Sequence, residues 1–169
     1  MCIRDSLWIS HKEKEVDKEQ GLRLHSWGLY AVNDRDPSRR QGLAYLPIEQ
    51  RPVFASFSGA HMKHYISDVR RRMVALSELD GYQVTVNNMW HFNKVVYNYQ
   101  VFGEESNKDA IESHEVRTYN QLLSHTRFSL CPVGAGPNTL RLWESLAVGA
   151  IPVVLSDRHQ LPDLERLLP

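Results

Sequence analysis

The sequence predicts an α/β fold, with helices on both faces of a parallel, Rossmann-like sheet. From residue 52 onward, apolar runs of strand length alternate with turn-rich loops and helical segments. The resulting order, β-α-β-(irregular)-α-β-α-β, is typical of parallel strands joined by helical crossovers. Helices are expected on both faces of such a sheet.

The first unit is a strand, a short loop and a helix. Residues 52–57 are apolar enough for a buried strand, and residues 58–60, which include Gly59, predict a tight loop. Residues 61–79 then predict an amphipathic helix, because their apolar positions alternate at spacings of four and three. These positions are Met62, Ile66, Val69, Met73 and Leu76. The loop is a candidate phosphate-facing turn, and at most one of the arginines at 70–72 is expected to point toward a ligand.

The middle of the chain is less regular. Residues 83–86 predict the next strand, whereas residues 87–107 alternate aromatic and polar side chains and favour an extended segment. Residues 113–124 then predict a helix with an imperfect apolar face.

The last stretch predicts strand, glycine-rich loop, helix and strand. Residues 128–131 form an apolar run that ends at Pro132, and Gly134 and Gly136 give the next loop backbone freedom and room for a ligand. Asn138 or Thr139 could cap the helix, and Gly149 stands where it would stop. Residues 150–155 form the second buried strand. On the helix, one face is expected to pack and the other to bind. The packing set is Leu142, Trp143, Leu146 and Ala147, and the binding set is Arg141, Glu144, Ser145 and Val148.

Two charged residues on this helix suggest a nucleotide site. Arg141 lies in the first turn, where the helix dipole disfavours a cation unless an anion is present, so its position indicates phosphate. Glu144, one turn further along, could accept hydrogen bonds from the two hydroxyls of a ribose. The alternative is an exposed ion pair between these two residues with a turn at Gly134 and Gly136; together, between two apolar runs, the residues favour the functional interpretation.

Composition excludes several classes. Lys plus Arg and Asp plus Glu both total 20, so no net charge favours nucleic acid or an acidic membrane. Cys2 and Cys131 are the only cysteines, which predicts neither a disulfide framework nor a zinc site. No apolar stretch approaches the ~20 residues that span a bilayer, so the chain as given is expected to be soluble. Asp34 and Asp36 have the spacing of a metal-binding Asp-x-Asp motif, but beside Pro37 they are better read as turn residues, and no metal is predicted.

The sequence divides near residue 50. Residues 1–50 are predicted to be a leader, a linker or the remnant of a preceding domain, and residues 51–169 the ligand-binding domain. The first six residues match nothing that follows, and residues 163–168 predict a helix cut short, so we expect a truncated domain.

The C-terminal part resembles a known family. Residues 119–134, YNQLLSHTRFSLCPVG, residues 141–157, RLWESLAVGAIPVVLSD, and Leu161-Pro162 are similar to the C-terminal half of exostosin-family glycosyltransferases. Residues 54–59, FASFSG, with Arg70 on the following helix, are similar to an earlier strand and loop of that family. The resemblance covers residues 52–162 and is most specific over the last forty or so of them.

The resemblance implies a GT-B fold, of which this chain would be the C-terminal, donor-binding domain. Arg141 would contact the diphosphate and Glu144 the ribose of a nucleotide sugar, commonly a UDP-sugar. Gly134, Gly136 and Asn138 would form the loop under the donor, with Gly59 on the opposite loop and Arg70 beside it. The sugar would pass to a glycan acceptor, often with inversion, and folds of this type generally need no Asp-x-Asp metal.

The resemblance leaves the chemistry incomplete. The N-terminal acceptor domain, where such enzymes usually place the catalytic base, is expected to be missing, and the base is not identified; Asp157 and His159 are better read as loop residues. Eukaryotic members are usually anchored in the Golgi, and this sequence shows no anchor, so the compartment stays open.

Two other classes remain. A Rossmann-like nucleotide-binding or regulatory module without transferase activity is one, although the chain lacks the third glycine of a dinucleotide fingerprint after Gly134 and Gly136. An interaction fragment that binds no nucleotide is the other.

Overall fold

The structure is a computed structural model that describes residues 31–88 and 108–159. Helix α1 (Val32–Arg35) and two 3-10 turns (Pro37–Arg39 and Ile48–Gln50) precede the sheet. The sheet region follows as β1 (Val53–Ala60), α2 (Val69–Arg72) with a 3-10 extension (Met73–Glu78), β2 (Tyr82–Asn87), α3 (Lys108–Ser124), β3 (Thr126–Pro132), α4 (Leu140–Ala147) and β4 (Ile151–Leu155). The predictions for residues 1–30, 89–107 and 160–169 lie outside the described residues.

The four strands form one parallel sheet in the order β2-β1-β3-β4. The chain moves from β1 to β2 on one side, then returns to place β3 on the other side of β1. Because right-handed crossovers in opposite directions put their helices on opposite faces, α2 and α3 cover different sides of the sheet. The predicted Rossmann-like α/β fold is confirmed, and it is consistent with a GT-B domain.

Apolar side chains from alternate strand positions build the main core. Ala55 and Phe57 of β1 and Leu130 of β3 are buried together with Met73, which follows α2. A second cluster joins Leu123 of α3 to Val148 and Ala150 around the end of α4. The apolar runs that predicted the strands are therefore the ones that hold helices to the sheet.

The helix predicted over residues 61–79 is wrong in its first half. α2 begins at Val69, and the residues before it are a loop tied to other segments. The His61 amide donates to the Asn87 carbonyl over 2.9 Å, and the Ile66 amide donates to the Gly134 carbonyl over 3.1 Å. These contacts commit main-chain groups that a helix would use, and Ile66 is exposed instead of lying in the core.

The tight loop predicted at residues 58–60 is also wrong. The ladder between β1 and β2 continues to its end, where Gly59 pairs with Val86 and Ala60 with Asn87. Gly59 is therefore a strand residue. The other strand predictions are confirmed within a few residues at each end.

The predicted faces of α4 are corrected by burial. Leu142, Ser145 and Val148 are at most 2% exposed, whereas Leu146, placed on the packing face, is 52% exposed. The Ser145 side chain can be buried because its hydroxyl donates to the Arg141 carbonyl over 2.6 Å. Arg141 and Glu144 are half-buried beside this stripe.

The segment before β1 packs on α3. The side-chain amide of Asn120 donates to the carbonyls of Arg39 and Gln41 over 2.7 and 2.8 Å. The Ala44 amide donates to the Ser124 hydroxyl over 3.0 Å. The domain division at residue 50 stays a prediction, although residues 39–44 share contacts with the sheet domain.

Within residues 31–88 and 108–159, no helix combines the length and apolar character required to cross a bilayer.

Candidate donor-binding site

The candidate site lies at the carboxyl ends of β1 and β3. These strands are neighbours, but the chain leaves β1 toward β2 and leaves β3 toward β4, in opposite directions across the sheet. In open α/β sheets, a crevice forms where the connections diverge in this way, and ligands bind there. Arg70, Arg141, Gly59 and Gly134 all meet at this point.

Arg70 joins the two strand ends. Its Nη1 donates to the Ala60 carbonyl over 2.7 Å, and its Nε donates to the Val133 carbonyl over 3.0 Å. The guanidinium also lies over the rings of Tyr65 and Phe57, at 4.7 and 5.4 Å from their centroids. It therefore sits across the crevice at the top of both strands.

Arg141 reaches the same edge from α4. Its Nη2 donates to the Ser58 carbonyl of β1. The guanidinium carbon lies 4.6 Å from the ring centroid of Phe57 and 5.0 Å from that of Tyr119. Stacking on two aromatic rings fixes the plane of the guanidinium and keeps its charge poorly hydrated.

The two arginines share Phe57 and repel each other. Burial lowers the pKa of Arg70 to about 10, and the charge of Arg141 acts in the same direction. At neutral pH Arg70 is nevertheless protonated. Their hydrogen-bond partners among the described residues are main-chain carbonyls, and neither pairs with a carboxylate there. The site therefore holds two adjacent positive charges that no ion pair among the described residues neutralises.

Glu144 lies beside this pair but is bound elsewhere. One of its oxygens, Oε2, accepts a hydrogen bond of 2.6 Å from the Tyr119 hydroxyl. Arg141 donates to Ser58 instead, so the alternative of a simple pair between Arg141 and Glu144 does not describe their contacts. Tyr119 is in contact with both residues.

Gly59 and Gly134 make room for the guanidinium groups. A Cβ on Gly134 would stand 2.9 Å from Nη2 of Arg70, and one on Gly59 would stand 3.4 Å from Nη2 of Arg141 and 2.9 Å from the Phe57 ring. Gly134 does not use the backbone freedom of glycine, because its φ is not positive, whereas those of Gly42, Gly81 and Gly149 are. The predicted room for a ligand at Gly134 stays a prediction. What matters at Gly134 is the absence of a side chain.

We expect Gly134→Ala to lower stability by about 1 to 3 kcal/mol, since the added methyl group must displace a guanidinium held by three carbonyls. Urea unfolding measures the loss. Ala135→Ser, at the exposed neighbouring position, is the control and should change stability by less than about 0.5 kcal/mol. An alanine at 134 with wild-type stability would contradict the tight approach of Arg70.

The loop that leads into α4 is held by its own contacts. The Gly134 amide donates to the Gly136 carbonyl over 3.2 Å, and the Trp143 indole donates to Oδ1 of Asn138 over 3.3 Å. Thr139 is the N-cap residue, but its side chain caps no helix amide. The role of Gly136 and Asn138 under a donor stays a prediction.

Other candidates lie apart from the arginine pair. Arg71 and Arg72 are exposed, as is Asp157. His159 lies within 3.4 Å of the Pro137 carbonyl through Nδ1, which places it against the loop before α4. The structure brings none of these four to the guanidinium groups of Arg70 and Arg141 through a described contact.

Asp36 behaves as the predicted turn residue, whereas Asp34 lies in helix α1. Asp36 accepts hydrogen bonds from the amide and hydroxyl of Ser38, which lower the pKa of its carboxyl. Asp34 accepts from the Tyr45 hydroxyl over 2.8 Å. Across the two described segments, no three potential metal ligands converge.

The sequence did not reveal the roles of Phe57 and Tyr119. From sequence, Phe57 falls in the strand predicted over residues 52–57 and Tyr119 on the imperfect apolar face of the helix predicted over residues 113–124. A tyrosine on a weakly amphipathic helix could have indicated a polar contact, because its hydroxyl requires a hydrogen-bond partner when buried.

Comparisons with known proteins agree with this fold. The family model described as the exostosin GT47 domain matches residues 8–167. The exostosin-1 homolog of Caenorhabditis elegans is 28% identical over 118 residues, which cover 70% of this chain and 30% of that protein. The chain thus matches less than a third of that relative's length. Since the family model spans nearly all of the sequence, the resemblance to exostosin glycosyltransferases is confirmed: this chain belongs to the exostosin GT47 family.

Proposed function

We propose that this chain is the donor-binding domain of a glycosyltransferase and binds a nucleotide sugar, of the UDP-sugar class, for transfer to a glycan hydroxyl. One observation carries the proposal. Arg70 and Arg141 are adjacent cations at the sheet's switch point, and their partners in the described residues are carbonyls rather than carboxylates.

A diphosphate fits this charge. Carbonyl oxygens accept hydrogen bonds from some N–H groups of the two arginines but do not neutralise their charges, and burial makes the remaining repulsion costly. Within the described residues Arg141 uses only Nη2 in a hydrogen bond, so Nε and Nη1 remain for phosphate oxygens. An anion of two phosphates can contact both guanidinium groups at once.

Glu144 places a carboxylate on the same helix as Arg141. A bound nucleoside diphosphate presents ribose hydroxyls beside its phosphates, and these are donors for a carboxylate. Glu144 lies one helical turn after Arg141 and is linked to it through Tyr119. The pair supports recognition of ribose and diphosphate as one unit.

The proposed chemistry concerns the leaving group. When the bond between sugar and diphosphate breaks, negative charge grows on the diphosphate, and two fixed cations favour that state. The acceptor hydroxyl also needs a base. The proposal assigns donor binding and leaving-group stabilisation to this chain and assigns the base to no residue.

Calorimetric titration of the full chain tests the proposal. UDP should bind at least about tenfold more tightly than UMP, and uridine should bind more weakly than both, because each phosphate adds charge-assisted hydrogen bonds. Raising the salt concentration should weaken the binding of UDP more than the binding of uridine. Titration with NAD tests the alternative of a dinucleotide-binding module. Equal affinity for UDP and uridine, or preference for NAD, would contradict the proposal.

A further inference from the structure

Tyr119 of α3 touches both halves of the proposed donor site. Its hydroxyl donates to Oε2 of Glu144 over 2.6 Å, and its ring lies under the guanidinium of Arg141 at 5.0 Å. Tyr119 stands on a different helix from those two residues, which both belong to α4. One side chain thus makes two separable contacts, one through a hydroxyl and one through a ring.

The hydrogen bond constrains the carboxylate. A carboxylate on a half-buried helix position would otherwise rotate among several orientations, whereas a short bond from a fixed phenol holds one of them. Oε2 is the oxygen that is used. Among the described residues Oε1 has no hydrogen-bond partner, so it is the oxygen left for a ligand hydroxyl.

The hydroxyl keeps its proton. Burial raises the pKa of Tyr119 well above its ordinary value, with the neighbouring charge and hydrogen bond of Glu144 acting in the same direction and Arg141 opposing them. Tyr119 is therefore a permanent donor at neutral pH, and Glu144 is held as an acceptor.

We propose that Tyr119 is the positioning residue that makes this site select ribonucleotides, by holding Glu144 so that its free oxygen binds a ribose hydroxyl. The inference rests on the proposed function and deepens it. The ligand class is a ribonucleoside diphosphate, and its dideoxy counterpart lacks the ribose hydroxyls that would donate to Glu144. The ring has a second role, since it fixes the guanidinium of Arg141 for the diphosphate.

Two variants separate the two contacts. Tyr119→Phe keeps the ring and removes the hydroxyl. The affinity for UDP should therefore fall about tenfold, while the affinity for 2′,3′-dideoxyuridine diphosphate should change less than about twofold. Tyr119→Leu removes the ring as well, and should also weaken binding of pyrophosphate. Thr118→Ala, at the exposed neighbouring position, is the control and should leave the affinities for all three ligands unchanged.

A double-mutant cycle with Glu144→Ala completes the test. In that background Tyr119→Phe should change UDP affinity less than about twofold, because the carboxylate that it positions is gone. An equal loss for UDP and the dideoxy ligand, no loss for either, or a full loss in the Glu144→Ala background would overturn the inference. If wild-type protein does not prefer UDP to uridine, the proposed function itself fails; if it does and the Tyr119 results are negative, only this inference fails.

Discussion

Arg141→Met is expected to weaken UDP binding about 30-fold to 100-fold. Methionine keeps much of the apolar stem that packs beside Phe57 but removes the charge and the donors that face the proposed diphosphate. Losing hydrogen bonds between a cation and an anion corresponds to about 2 to 2.7 kcal/mol, which is this range of affinity. Isothermal calorimetry of the variant with UDP gives the value.

Controls for Arg141 come from α2, the helix that carries Arg70. Arg71→Met and Arg72→Met remove one positive charge each from exposed positions, so UDP affinity should change less than about twofold. Arg70→Met should weaken UDP binding as Arg141→Met does, and should also lower stability because three carbonyls lose their donor. Equal effects at positions 71 and 141 would mean that net charge, and not a built site, attracts UDP.

Arg51→Met is expected to lower the free energy of unfolding by about 3 to 5 kcal/mol. Arg51 is 2% exposed, and its guanidinium donates to the carbonyls of Leu46, Thr126 and Val148. Val148 ends α4, where a positive charge is favourable, so one side chain joins the entry segment, β3 and that helix. Without it, buried carbonyls lose their partners.

Urea unfolding of Arg51→Met measures this loss, with Arg72→Met as the exposed control expected to change stability by less than about 0.5 kcal/mol. Arg51→Lys should be nearly as unstable, because an ammonium lacks the planar fork that reaches three separate carbonyls. A methionine variant within about 1 kcal/mol of the wild type would show that Arg51 does not hold these segments together.

The strands could be predicted because each depends on local apolar residues. The run at 150–155 is entirely apolar, and the run at 128–131 is interrupted only by Ser129. Both pair in the parallel sheet, but only β3 is buried as predicted. Ile151 and Val154 of β4 are exposed among the described residues, so the prediction of a buried strand at 150–155 is wrong in that respect. The helix predicted from residue 61 failed since its apolar spacing is local while its main-chain partners, such as Gly134, lie far along the chain. Periodicity carries no information about such partners.

The same limit applies to the site. The positions of Arg141 and Glu144 on α4 follow from helix geometry, and both were identified from sequence. Their partners were not, because Tyr119 is 25 residues before Glu144 and Ser58 is 83 residues before Arg141. Arg51 was missed for a similar reason: its three carbonyls come from separate parts of the chain, and only the fold brings them together.

The most direct test of the arginine-pair site is NMR of the arginine side chains during a UDP titration. The Nε–H signals of Arg70 and Arg141 should shift when UDP saturates the site. The Nε–H signal of Arg51, which donates to the Leu46 carbonyl near the amino ends of the strands, should not shift. Exposed Arg71 and Arg72 should also be unaffected. If UDP binds and leaves the signals of Arg70 and Arg141 unchanged, the diphosphate is not held at the ends of β1 and β3, and the account is wrong.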